Sequence, residues 1–367
     1  MMAARRPAGA LSLLTGLLVV AAAGCGLQAP SSAAGSDAPA PALSDVTALA
    51  DPRSHEGPSH AGLGDLAVDP VAEDVSPNLP VTIVDHQGTE VTVTDADRIL
   101  ALDVYGTLAQ TVAELGLGDR LVGRDVSTQF AEAADLPLVT GTGHDLNAES
   151  ILALDPTVIL TDTSLGPWDV VLQMRDAGIP VVVVDPSRTL DNVESLTLQV
   201  AEALGVPAEG RLLADRIAAE VDATLAEIAD VAPEAVQDRI RTVFLYVRGQ
   251  AGVYYMFGEG SGADGLIDAL GLHDVTAEIG WSGMKPVNDE GIVAAQPELI
   301  LMMTKGLESV GGVDGLLERL PALAQTPAGL NRRIVDMSDA QILSYGPRTA
   351  EVLNSLAVAV YAPQALE

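Results

Sequence analysis

The most specific chemistry in this sequence lies in one short segment, Val243-Phe244-Leu245-Tyr246-Val247-Arg248-Gly249. An apolar, β-branched run that stops at glycine reads as a strand, and period 2 puts Tyr246 and Arg248 on one face at its end. A phenol is neutral at pH 7. A guanidinium beside it favours phenolate, a hard oxygen donor suited to ferric iron. A second donor sits in Thr140-Gly141-Thr142-Gly143-His144-Asp145, where His144 offers an imidazole on a glycine-flanked loop. A third motif, Gly260-Ser261-Gly262-Ala263-Asp264-Gly265, fits Gly-x-Gly-x-x-Gly after an apolar run and before a helix. That context is the one a dinucleotide fingerprint needs, so an NAD-dependent oxidoreductase is the alternative from a different class. Lys285 stands where that fingerprint wants an acid, and the loop's amides could equally take another anion. Met302, Met303 and Tyr345 are further candidate pocket-lining residues. His55 and His60 read as solvated, His86 as a turn residue and His273 as a surface residue. No Walker lysine, His-Glu-x-x-His or Gly-x-Ser-x-Gly is present, so nothing else points to an enzyme.

Short apolar strands alternate with helical periods from Arg98 onward, which is the pattern of parallel α/β sheets. Strands are expected at 98–103, 157–161, 180–184, 241–247, 298–303 and 333–337, and a hairpin at 81–93. One long helix is expected over Ala208–Asp230, with an apolar stripe at Leu213, Ile217, Val221, Leu225 and Ile228. An internal repeat divides the chain: residues 146–160 lie on residues 287–301 without a gap, with Asn, Glu, Ile, Ala, Pro, Ile and Leu coinciding. Asn147 and Asn288 are suited to cap helices, Glu149 and Glu290 to complement the helix starts, and Pro156 and Pro297 to end them. The expectation is an α/β fold of two Rossmann-like lobes with parallel sheets, joined by one long backbone helix around a ligand cleft. Ligands in such folds bind off the carboxyl ends of the strands, and that is where Tyr246 and the His144 loop fall.

Lys+Arg 19 against Asp+Glu 51 leaves a net charge of −32, which excludes a nucleic-acid partner. With 48% hydrophobic residues and one cysteine, the chain should fold without a disulfide. Arg5 and Arg6, an apolar run over Leu11–Ala23 and the close on Ala22-Ala23-Gly24-Cys25 read as an export signal. The expected boundaries are a signal over 1–24, a flexible tether over 25–78, an N-terminal lobe over 79–190, connecting helices over 191–238 and a C-terminal lobe over 239–367.

Small residues before the lone Cys25 resemble the lipobox of bacterial lipoproteins, which implies lipidation there and attachment to the outer face of the cell membrane. The repeated Asn-x-Glu-x-Ile-x-x-x-x-Pro pattern with a long helix between its copies resembles the helical-backbone class of ABC-importer substrate-binding proteins. That class carries ferric siderophores, cobalamin or haem. The resemblance implies a monomer that hands its ligand to a permease and its ATPase, docking through Glu149 and Glu290. Tyr246-x-Arg248 with the Gly-x-Gly-His144 loop resembles the haem-binding lipoproteins of actinobacterial haem importers. This implies haemin held between the axial ligands Tyr246 and His144, with Arg248 bonded to the tyrosine. A ferric siderophore or cobalamin is the alternative within the class.

Overall fold

Each strand–helix unit of this chain returns it to the same end of a sheet, so parallel pairing dominates. The computed structural model describes residues 37–64, 67–141 and 143–366, all within one compact unit. The expected export signal and Cys25 lie outside the described residues.

The N-terminal lobe holds the hairpin β2 (Val81–Val84) and β3 (Glu90–Val93), which follows a short strand β1 (Ser59–Ala61) described below. A three-stranded parallel sheet follows, β4 (Ile99–Leu102), β5 (Val158–Thr161) and β6 (Val181–Val183), in that order. Its helices are α1 (Thr107–Val112), α2 (Ala148–Ala153) and α3 (Trp168–Asp176). The lobes are joined by α4 (Val193–Ala203) and α5 (Pro207–Val231), whose 25 residues span about 37 Å at 1.5 Å each. Leu213, Ile217 and Ile228 of the expected stripe are buried, and Val221 and Leu225 pack against the core at its edge.

In the C-terminal lobe come β7 (Arg241–Arg248), β8 (Val253–Phe257), α6 (Ala263–Ala269), β9 (His273–Asp274), β10 (Met284–Pro286), α7 (Asp289–Ala295) and β11 (Leu299–Met303). They are followed by α8 (Thr304–Glu308), α9 (Gly312–Arg319), α10 (Pro327–Leu330), β12 (Ile334–Met337) and α11 (Thr349–Tyr361). The sheet order is β1-β12-β11-β7-β8-β10, with β9 beside the start of β7. Strands β1, β12, β11 and β7 run parallel, while β8 and β10 add an antiparallel edge that the alternation pattern did not foretell.

The repeat appears in three dimensions. Asn147 accepts from the Ser150 amide at 2.8 Å and Asn288 from the Gly291 amide at 2.7 Å, each capping its short helix. Asp155 and Gln296, the residues before the two prolines, both turn left-handed with φ of 47° and 45°.

Residues 37–64 and 67–78 correct the expectation of a flexible tether. Their Ala-, Pro- and Ser-rich composition has no core-forming period, but the segment is held by backbone pairing and single anchors, which need none. β1 pairs with the free edge of β12, Leu43, Ala61 and Leu63 are buried, and Arg53 ion-pairs with Glu298. His60 is likewise not solvated: its Nδ1 lies 2.8 Å from Asp336 on β12, and both side chains are largely buried. The bond to Asp336 raises the His60 pKa above its ordinary value against the opposing effect of burial.

A raised folded-state pKa means the imidazolium is held more tightly in the folded chain, so its stabilisation is complete below about pH 6.5 and fades as pH rises through the higher folded value. His60→Ala should therefore cost about 1–2 kcal/mol at pH 6 and distinctly less at pH 9, read from urea midpoints. An equal or larger loss at pH 9 would contradict the assignment.

Candidate functional site

The register of three neighbouring strands sets the site's geometry. Leu245 of β7, Met302 of β11 and Asp336 of β12 stand side by side. One residue further on, the same row carries Tyr246, Met303 and Met337, on the face of the sheet that also carries Phe244, Leu301 and Val335. Tyr246 is half-buried and stacks on Phe257 with ring centroids 5.9 Å apart. Two further residues along each chain come Arg248, Lys305 and Asp339. The Arg248 guanidinium lies 4.4 Å over the Tyr246 ring, and its Nη2 donates to Asp339 Oδ2 at 2.6 Å. Asp339 Oδ1 accepts from the Lys305 amide at 3.0 Å. Tyr246 and Arg248 thus share one face at the end of their strand, as their spacing implies.

His144 comes from the other lobe. Its ring is exposed at the cleft, on a loop held by the Gly141 amide donating to the Asp145 carbonyl at 2.8 Å. Partial desolvation lowers its pKa first, and the positive charges of Arg248 and then Lys305 add to this, opposed by Asp339 and Asp145. The imidazole therefore faces the Arg248–Lys305–Asp339 row, and it is neutral at neutral pH, the form that donates to a metal.

Behind this loop, the carboxyl ends of the N-terminal lobe's strands carry a buried network that sequence reasoning missed. Arg188 ion-pairs with Asp162 and lies 3.3 Å from Asp103, and its guanidinium sits 5.0 Å over the Tyr105 ring. Asp103 also accepts from the Thr107 and Leu108 amides at the start of α1. Burial, then the charge of Asp162, pushes the Asp103 carboxyl well above the usual range. Burying two carboxylates beside one guanidinium is costly unless each is paired and hydrogen-bonded, as both are here.

Several expected lining residues serve the fold instead. Met302 points to the opposite face of the sheet, into an apolar cluster with Val243, Leu245 and Ile300, because strand side chains alternate. Met303 keeps its place beside Tyr246. Tyr345 is buried and donates to the Gly262 carbonyl at 2.5 Å, which occupies its hydroxyl. The loop of Gly260, Ser261 and Gly262 offers no open anion cradle. Asp264 takes the Gly260 amide at 2.8 Å and the Gly262 amide at 3.0 Å, and Ser261 Oγ accepts from the Ala263 amide. A carboxylate from the chain itself sits where a phosphate or other anion would bind, which removes the basis for the dinucleotide reading. Gly262 is glycine for a packing reason: at φ 87° a Cβ there would meet the Arg188 carbonyl at 2.8 Å. His273 pairs with Glu278 at 2.6 Å beside Arg241, at the opposite end of β7 from Tyr246.

Glu149 and Glu290 occupy equivalent exposed positions in the first turns of α2 and α7. Each has an exposed aliphatic residue three positions on, Leu152 and Val293, at 47% and 50% exposure. The two helices therefore present the same acidic and apolar pair, once per lobe.

Two lobes carry matched short helices, with Tyr246 and Arg248 on one lobe and His144 on the other. The periplasmic binding protein family model matches residues 104–340. The chain belongs to the periplasmic binding protein family. It is a substrate-binding protein of the transport type, working outside the cytoplasm, and this is not an enzyme family. The structure resembles that of heme binding protein HmuT, with 41% identity, a TM-score of 0.79 and coverage of 85% of this chain and 99% of that one. Other solved forms of HmuT carry a single alanine in place of an arginine, a tyrosine or a histidine. The periplasmic heme-binding protein RhuT from Roseiflexus sp. RS-1 is 36% identical, with a TM-score of 0.66 and coverage of 74% and 100%. An uncharacterized ABC transporter substrate-binding lipoprotein, YvrC of Bacillus subtilis (strain 168), is 26% identical over 309 residues, 82% of this chain and 92% of the relative.

The electrostatics of the cleft give a direct test without ligand. In the free protein, the His144 ring should titrate below about 6.5 when followed by NMR, and Arg248→Ala should move it upward by removing the cation with the larger effect on it. A His144 that titrates at or above 6.5, or that ignores the Arg248 substitution, would mean that the two lobes do not face each other as described.

Proposed function

We propose that the protein captures haemin between its lobes and delivers it to an ABC permease. The observation that carries this reading is the Tyr246–Arg248 pair at the carboxyl end of β7, with His144 opposite on the other lobe. In the HmuT forms with alanine substitutions, the tyrosine and the arginine also lie two positions apart. Tyr246 would supply a phenolate oxygen to the ferric iron, with the positive charge over its ring favouring that form. His144 would supply the opposite axial nitrogen. Met303 and Phe257, beside Tyr246, offer an apolar face to the flat macrocycle. A ferric siderophore or a cobalamin already saturates its metal and would not call for this donor pair.

Delivery would use Glu149 and Glu290. One carboxylate per lobe, on matched helices, suits a two-point contact with arginines of a two-fold permease, and Leu152 and Val293 would bury apolar surface beside each contact. Cys25 would carry the lipid that keeps a single copy of the protein at the outer face of the membrane, near the permease and its ATPase. No helix among the described residues is long and apolar enough to cross a membrane.

Haemin titration tests capture. Tyr246→Ala should lose affinity by on the order of a hundredfold, about 2.7 kcal/mol, while His144→Ala should lose about tenfold and change the visible spectrum as water takes the sixth site. In the wild-type protein, the spectral component that depends on His144 should persist to below pH 6.5, because a lowered imidazole pKa delays protonation. A spectrum and affinity that both mutations leave unchanged would remove the donor pair and return the siderophore and cobalamin readings. Delivery is tested separately. The double substitution Glu149→Lys, Glu290→Lys should abolish haemin uptake by cells and leave haemin binding in solution intact; loss of binding would show that these carboxylates serve the cleft instead.

A further inference from the structure

We propose that Asp339 is a positioning residue for the iron-binding tyrosine, acting through Arg248; this rests on the haem reading above. The strand register is the first ground. Because Leu245, Met302 and Asp336 stand side by side, the residues three further along each chain, Arg248, Lys305 and Asp339, arrive together at the carboxyl ends of the strands. The second ground is how completely the Asp339 carboxylate is used. Oδ1 accepts from the Lys305 amide at 3.0 Å, where α8 begins, and Oδ2 accepts from Arg248 Nη2 at 2.6 Å. A carboxylate fixed by a backbone amide cannot follow the arginine; the arginine must follow it. The third ground is the arginine's pose. Its remaining amino group, Nη1, donates to the Val247 carbonyl at 2.9 Å, so the fork is held from both sides with its flat face 4.4 Å from the Tyr246 ring centre.

Arg248 is about one-third exposed, so without Asp339 its long side chain is free to swing out of the cleft into water. Asp339 thus does two things to the phenol. It keeps the guanidinium over the ring, and by pairing with it limits how much positive charge reaches the phenol oxygen. Orientation of a ligand's charged neighbour from one shell further out is a common way for a protein to set how firmly a metal is held.

Two measurements on the full-length protein test this. In the haem-free protein, ¹⁵N NMR of the arginine side chains should show slow rotation of the Arg248 guanidinium, lost in Asp339→Asn and regained in Asp339→Glu. With haemin, Asp339→Asn should speed dissociation on the order of tenfold and weaken the tyrosinate-to-iron charge-transfer band. The same substitution made in Arg248→Ala should change neither any further, because its path to the iron is gone. Rapid guanidinium rotation in the wild type, or dissociation rates whose effects multiply in the double variant, would overturn the proposal. If haemin fails to bind the wild type, the haem reading falls and with it the role in ligation, while the NMR comparison still decides whether the clamp exists.

Discussion

Everything at this site depends on the register of β7, β11 and β12. Parallel strands in one sheet present their carboxyl ends together, and residues counted equally from a registered row stay together for a few positions past the sheet. That constraint puts a tyrosine, a methionine pair and then an arginine, a lysine and an aspartate along one edge. A shift of one residue in β7 would turn Tyr246 and Arg248 to the other face, toward Ile300 and Met302 of β11, and the site would vanish. The buried apolar rows on both faces hold that register, Phe244, Leu301 and Val335 on one side and Val243, Ile300 and Ile334 on the other.

The second requirement is that the other lobe meet this edge at a defined distance. Thr107, at the start of α1, donates to the Ser344 carbonyl at 2.5 Å, and Gly346 lies so close to Thr107 that a Cβ there would stand 2.4 Å from its methyl group. Gly262 rests on the Arg188 backbone in the same way. These contacts connect the buried Asp103–Arg188–Asp162 wall directly to the C-terminal lobe. The segment before the first lobe adds to the fastening: β1 extends the C-terminal sheet, while Asp69 and Val71 bond to Glu114 in the N-terminal lobe. Lobes joined by α5 alone could rock freely; with these contacts, any opening has to be small or has to break buried packing.

Much of this was legible before any coordinates. The repeat of 146–160 on 287–301 carried both helix caps, both strands and the matched positions of Glu149 and Glu290, because capping and Pro-terminated helices are local chemistry written in adjacent residues. Tyr246-x-Arg248 was legible because period 2 needs no knowledge of neighbours. What escaped has a common cause. His60 and Asp336, Arg188 and Asp162, and Arg248 and Asp339 are partners far apart in sequence, and only the strand order joins them. The glycine loop misled for a related reason: Gly-x-Gly-x-x-Gly says that amides are exposed to an anion, and here Asp264 within the motif is the anion. Residues 37–64 and 67–78 were misjudged because a strap pinned by backbone bonds leaves almost no pattern in composition.

The central claim is that one ferric haem is held across the cleft between a phenolate of one lobe and an imidazole of the other. A crystal structure of the haemin-loaded protein tests it most directly. The account predicts iron between Tyr246 Oη and a ring nitrogen of His144, with Arg248 still paired to Asp339. Haem bound through other side chains, or lying outside the cleft, would contradict it.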